Sequence, residues 1–150
     1  MFLIYNMITA FATFSRIPMP RIDYSEKNTK YSLCFFPLVG AAVGALMLLI
    51  HALCAWLSIG TVLRAALLLA VPVLVTGGIH LDGYCDTVDA LSSFASREKK
   101  LQILKDPNAG AFAVIYCGLW YFLYFGALTE LDAAFYVILP GFVLSRALSA

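Results

Sequence analysis

Three aspartates, Asp82, Asp86 and Asp89, sit in the run His80-Leu81-Asp82-Gly83-Tyr84-Cys85-Asp86-Thr87-Val88-Asp89. On a helix turning about 100° per residue, this spacing places them within an arc of roughly 60°. Carboxylates crowded on one stripe repel each other unless a cation lies between them. Their hard oxygens suit Mg²⁺ or Mn²⁺. Such ions bridge pyrophosphate oxygens and neutralise charge as a leaving group departs. A solvated helix face is the plain alternative. Asp is a weak helix former and gains no packing on such a stripe, and the apolar setting favours a metal and a phosphate-bearing substrate.

The neighbouring polar residues extend the pattern. Gly83 follows the first aspartate, where a missing side chain lets a ligand approach the backbone. His80, if helical, points about 160° from Asp82 and is expected to support the site more than to ligate within it. Arg97, Lys99, Lys100 and Lys105 follow in the chain, and Arg146 comes from a later helix; all are candidate phosphate partners. Lys105-Asp106-Pro107-Asn108-Ala109-Gly110 reads as a turn, either a plain interhelical connection or a substrate loop.

These residues must be held by elements that are mostly oil. Of 150 residues, 62% are hydrophobic and 13% charged, and mean hydropathy is +0.87. The chain therefore reads as an integral membrane protein. A net charge of +1 argues against a nucleic-acid partner. Cys34, Cys54, Cys85 and Cys117 form no C-x-x-C pair and fit no zinc spacing, so they read as small hydrophobes.

The predicted fold class is all-α, a polytopic transmembrane bundle. It has a short or re-entrant N-terminal helix, Met1 to Phe14, and about four further apolar helices. The N-terminal stretch lacks a basic leader, which disfavours a cleaved signal. The longer segments run from about Leu33 to Leu57, Thr61 to Ile79, Ala111 to Leu128, and Ala133 to the end. Gly40 and Gly44 form a G-x-x-x-G face suited to close helix approach. Gly77-Gly78 should break the second segment. Ser96 to Asp106 reads as a short amphipathic surface helix with Ser96 as N-cap and Pro107 as its stop. Basic residues concentrate in 15–32 (Arg16, Arg21, Lys27, Lys30) and in 80–110. The connections at 58–60 and 129–132 have no Lys or Arg, and the second carries Glu130 and Asp132. The positive-inside rule then puts the basic loops and the aspartates at the cytoplasmic face. Arg64 should snorkel to the opposite interface, and Asp23 should be solvated. A single membrane-embedded domain accounts for residues 1–150.

Four blocks in order carry a resemblance: FSRIPMPR, FFPLVGAAVGAL, GGIHLDGYCDTVDAL and SREKKLQILKDPNAGAFAV. Together they resemble the cobalamin synthase family, adenosylcobinamide-GDP ribazoletransferase, over nearly the whole chain. The resemblance implies a multi-pass protein of the bacterial cytoplasmic (inner) membrane, its site facing the cytoplasm. It implies a Mg²⁺-dependent transferase that joins adenosylcobinamide-GDP to α-ribazole or its 5′-phosphate and releases GMP. Carried over by position, Asp82, Asp86 and Asp89 would be catalytic and hold metal and pyrophosphate. His80, Gly83, Arg97, Lys105, Asp106 and Arg146 would bind substrate. Partners beyond these substrates and the bilayer would be a second copy or other corrin-assembly enzymes. Ala90 stands where many members have Gly. Members also run longer, so the resemblance implies an N-terminal portion of such an enzyme.

Two other readings compete on the residues alone. One is a membrane transferase acting on a CDP-alcohol or prenyl diphosphate. The A-R and longer G-x-x-x-D-x-x-x-D tail of the first and the second aspartate-rich motif of the other are absent. The other is a cation transporter, which would hold its carboxylates near mid-membrane between broken helices.

Overall fold

The computed structural model describes residues 2–22, 25, 29–131 and 134–150. Asp23, Lys27 and Asp132, placed in loops by the sequence, lie outside the described residues. Every regular element described is helical, with no strand among the described residues. Helix α1 spans Phe2–Phe14. A 3-10 turn, Ser32–Phe35, leads into α2, Phe36–Trp56. Pro37 opens α2 in its first turn, where a missing N–H costs nothing. Then follow α3 (Thr61–Thr76), α4 (Ile79–Ser92), α5 (Arg97–Ile103) and α6 (Ala111–Glu130). A second 3-10 turn, Phe135–Val137, precedes α7, Ile138–Ser149.

Two helical stretches, Ser32–Trp56 and Ala111–Glu130, are long and apolar enough to cross a membrane. The α3–α4 pair makes up to three if it counts as one bent span. The stretch Phe135–Ser149, within the expected fourth segment, is apolar and helical to the last residues of the sequence. The amphipathic helix ends earlier than expected, at Ile103. Ser96 does cap it, its hydroxyl accepting the Lys99 N–H at 3.4 Å. Pro107 lies in the loop beyond.

The main core joins α2, α3 and α6 to the turn before α7 through Met47, Leu68, Val71, Leu128 and Phe135. A second cluster, Ala10, Phe36 and Val39, docks α1 onto α2. The tightest helix pair is α2 with α7, and glycine is the cause. A Cβ on Gly44 would sit 2.7 Å from the Leu139 Cα, and one on Gly40 would sit 2.5 Å from the Phe142 carbonyl oxygen. The G-x-x-x-G face thus has its partner helix.

The element that positions the site is a bend. Gly77 (φ 68°) and Gly78 (φ 81°) both take the left-handed conformation that L side chains resist. The chain turns by 90° between α3 and α4. Both glycine N–H groups bond back to the Val73 carbonyl, closing the end of α3. Arg16, on the strand of chain leaving α1, donates its N–H to the Val75 carbonyl at 2.7 Å. Its side chain lies across Gly77, where any Cβ would collide with it.

Candidate functional site

All three aspartates fall on α4, as their spacing predicts. They do not share one environment. Asp82 is exposed and Asp86 half-buried. Neither has a hydrogen-bond or ion-pair partner among the described residues. Asp82 lines a cleft of ≈ 580 Å³ with Gly77, Gly78, Ile79, Leu81 and Cys85. Asp89 is different. One of its oxygens accepts the Gly110 N–H at 2.5 Å and the other the Ala113 N–H at 2.8 Å. It caps the start of α6 from another helix, satisfying two N–H groups that have no intrahelical partner. No side chain fits between them, since a Cβ on Gly110 would meet the carboxylate at 2.7–2.9 Å.

This division sets Asp89 apart from the other two carboxylates. Among the described residues no group of three or more His, Cys, Asp or Glu side chains could hold one ion. Asp82 and Asp86 fit a divalent cation, because each presents free oxygen donors one helical turn apart. Mg²⁺ commonly binds through one or two carboxylates plus water and substrate phosphate, without an all-protein cage. Asp89 fits less well, since its orientation is set by α6.

The same contact ties the second polar cluster to the first, because Gly110 ends the Lys105–Gly110 turn. Within that turn Asp106 accepts the Asn108 backbone N–H at 3.0 Å and its side-chain amide at 2.8 Å. These two bonds, the backbone one first, hold its carboxyl below the ordinary aspartate range. Lys105 and Arg97 are exposed, and no ion pair joins them to the aspartates among the described residues. Gly83 faces open space, so nothing on the protein demands glycine there.

His80 and Arg146 are brought together on the opposite side of α4. Phe36 lies between them, its ring centroid 5.5 Å from that of His80 and 5.6 Å from the Arg146 guanidinium carbon. Both line a cavity of ≈ 550 Å³ bounded by α3, α4, α6 and α7. His80 Nε2 and Arg146 Nε are buried there without a hydrogen-bond partner. The cavity wall also holds Tyr84, Trp120 and Tyr124, which the sequence reading passed over. Trp120 and Tyr124 are i, i+4 neighbours with ring centroids 5.0 Å apart, a pairing visible as a stripe on one face of α6. Arg16 reads from the sequence as basic loop charge, yet it lies two residues beyond the last turn of an apolar helix.

An all-helical, strongly apolar chain with free carboxylates at a glycine bend defines a membrane-helix protein with an acidic site at the end of a broken helix. Residues 6–150 match the family model described as cobalamin-5-phosphate synthase. The chain is 47% identical over 141 residues to an adenosylcobinamide-GDP ribazoletransferase of Lachnoclostridium phytofermentans, covering 93% of this chain and 54% of that protein. A protein of the same name from Clostridium botulinum (strain Eklund 17B / Type B) is 38% identical over 122 residues, with 81% and 48% covered. Another from Geobacillus thermodenitrificans is 38% identical over 146 residues, with 93% and 55% covered. The chain belongs to the cobalamin-5-phosphate synthase family. It spans about half the length of the curated relatives it matches. No solved structure matches it. Membership places it with proteins of cobalamin biosynthesis.

Proposed function

We propose that this chain carries the diphosphate-handling part of a membrane-bound adenosylcobinamide-GDP ribazoletransferase that depends on Mg²⁺. The observation that carries the reading is the unpartnered pair Asp82 and Asp86 on adjacent turns of α4, beside a cleft at the α3–α4 bend. The relatives' names supply the substrate class.

In the transfer, a ribose hydroxyl of α-ribazole, or of its 5′-phosphate, attacks the phosphorus bonded to cobinamide. A new P–O bond forms. The P–O bond to the GMP unit breaks, and its electron pair leaves on GMP. The hydroxyl proton passes to a carboxylate of α4 or to water. Asp82 and Asp86 would hold the divalent ion, which supplies charge neutralisation on the pyrophosphate oxygens. Asp89 fixes the angle of α4 against the Lys105–Gly110 turn. Arg97, Lys105 and Asp106 would take the donor's phosphate and guanosine, and Arg146 and His80 would serve the other face. The basic loops argue for a cytoplasmic orientation in the bacterial inner membrane, where soluble nucleotides arrive.

The test supplies membranes holding the protein with adenosylcobinamide-GDP, α-ribazole 5′-phosphate and Mg²⁺. GMP release is expected, and is expected to vanish in Asp82→Asn and in Asp86→Asn. Full turnover in both variants at equal expression would overturn the assignment.

A further inference from the structure

Helix α4 has two chemical faces. Asp82 and Asp86 lie on one. His80, Leu81 and Tyr84 turn towards the ≈ 550 Å³ cavity on the other. That volume falls within the about 300–1,000 Å³ range of small-molecule sites. Its wall is largely apolar and rich in flat rings: Tyr84, Trp120, Tyr124 and Phe142. Its polar side chains include Thr76 from α3, His80 from α4, and Ser145 and Arg146 from α7. The Arg146 guanidinium donates to the Ser145 hydroxyl at 3.2 Å, yet its Nε is buried unpaired, as is His80 Nε2. Buried polar atoms without a partner are rare in folded proteins, and two of them belong to side chains that line this one cavity.

We infer that this cavity is the acceptor site, taking a flat aromatic riboside between the rings of α4 and α6, with its phosphate or sugar hydroxyls against Arg146 and His80. The inference rests on the transferase reading and divides it. The donor's pyrophosphate is handled on the carboxylate face of α4, and the acceptor enters from the aromatic face. Rings stack with the base in offset or edge geometry. The guanidinium adds bidentate phosphate recognition, which Lys cannot reproduce. Transfer needs the attacking hydroxyl within about 3 Å of phosphorus, so the two substrates must meet around the N-terminal end of α4, beside the Gly77–Gly78 bend. Gly78 and Leu81 line both.

The chain's two tryptophans, Trp56 and Trp120, make a direct test. Trp56 is exposed at the end of α2. In a Trp56→Phe background in lipid nanodiscs, Trp120 emission reports on the cavity alone. Titration with α-ribazole should quench it saturably. Gly141 lines the cavity, and a Cβ there meets nothing within 4 Å. Gly141→Leu therefore adds bulk to the cavity wall with no clash at its Cβ. It should weaken α-ribazole binding at least about tenfold, while a fluorescent GDP with Mg²⁺ binds as before. In the parent, α-ribazole 5′-phosphate should bind more tightly than α-ribazole, and Arg146→Gln should abolish that difference. Equal α-ribazole binding by Gly141→Leu and parent would overturn the proposal. So would quenching of Trp120 by brominated acyl chains that α-ribazole cannot displace, which marks a lipid groove. Binding needs no turnover, so the two readings fail separately. Quenching without GMP release sinks the transferase reading, and GMP release with unquenched Trp120 sinks this one.

Discussion

Replacing Asp89 separates a structural carboxylate from a reacting one. Its two oxygens hold the Gly110 and Ala113 amides at 2.5 and 2.8 Å, and no other residue described takes them over. Losing a helix cap costs about 0.5–2 kcal/mol, and hydrogen bonds to a charged group lie at the upper end of such values. Asp89→Ala removes both bonds and the negative charge at the start of α6, so a loss of about 2 kcal/mol is expected. Asp89→Asn keeps one acceptor and turns the other into a donor facing an N–H, for a loss of about 1 kcal/mol. Amide hydrogen exchange measures this directly. A loss of 1–2 kcal/mol speeds exchange by roughly 5- to 30-fold, and the change should centre on Gly110 to Ala113. Asp82→Asn should leave the same amides untouched, since Asp82 holds nothing. The reasoning is refuted if Asp89→Asn leaves their protection at the parental level while abolishing GMP release as completely as Asp82→Asn does.

Three further outcomes follow from glycine packing and the polar turn. Gly40→Val and Gly44→Val should each cost about 1–3 kcal/mol by overpacking α2 against α7, whereas Gly118→Ala and Gly126→Ala, which face open space, should gain about 0.5–1 kcal/mol; thermal unfolding in detergent ranks the four. Gly78→Ala should cost about 1–2 kcal/mol from the left-handed backbone alone, and Gly77→Ala more, because it also displaces Arg16; the same unfolding scan gives the order. Asn108→Ala should raise the Asp106 pKa part of the way to its ordinary value, because the side-chain bond is lost and the backbone N–H bond stays; a carbon-13 titration of the carboxyl reads the shift.

Local features were legible because local geometry decides them. Asp82, Asp86 and Asp89 share a helix because 3.6-residue periodicity puts them on one stripe. Gly40 and Gly44 announced a close helix approach, and Ser96 announced a cap. The division of labour among the aspartates was not legible. Asp89 meets Gly110 and Ala113 only after the chain has turned back through α5, 21 and 24 residues later. Gly77-Gly78 marked a break, but its 90° angle depends on both residues being left-handed and on Arg16 lying over the corner. The aromatic wall was hidden for a related reason. Trp120 and Tyr124 belong to an aromatic-rich helix whose sequence does not say which rings face α4 and α7.

The bend also sets a depth. Helix α3 has 16 residues, about 24 Å at 1.5 Å per residue, against a hydrocarbon core of roughly 30 Å. In a bilayer, a straight run that short is mismatched by about 6 Å, and lipid answers a short helix by thinning around it. A headgroup layer thinned in this way would dip towards Gly77, with α4 along the floor of the dimple. On the transferase reading, water and dissolved nucleotide would reach Asp82 there without any span opening, while the apolar cavity behind α4 would stay at acyl depth.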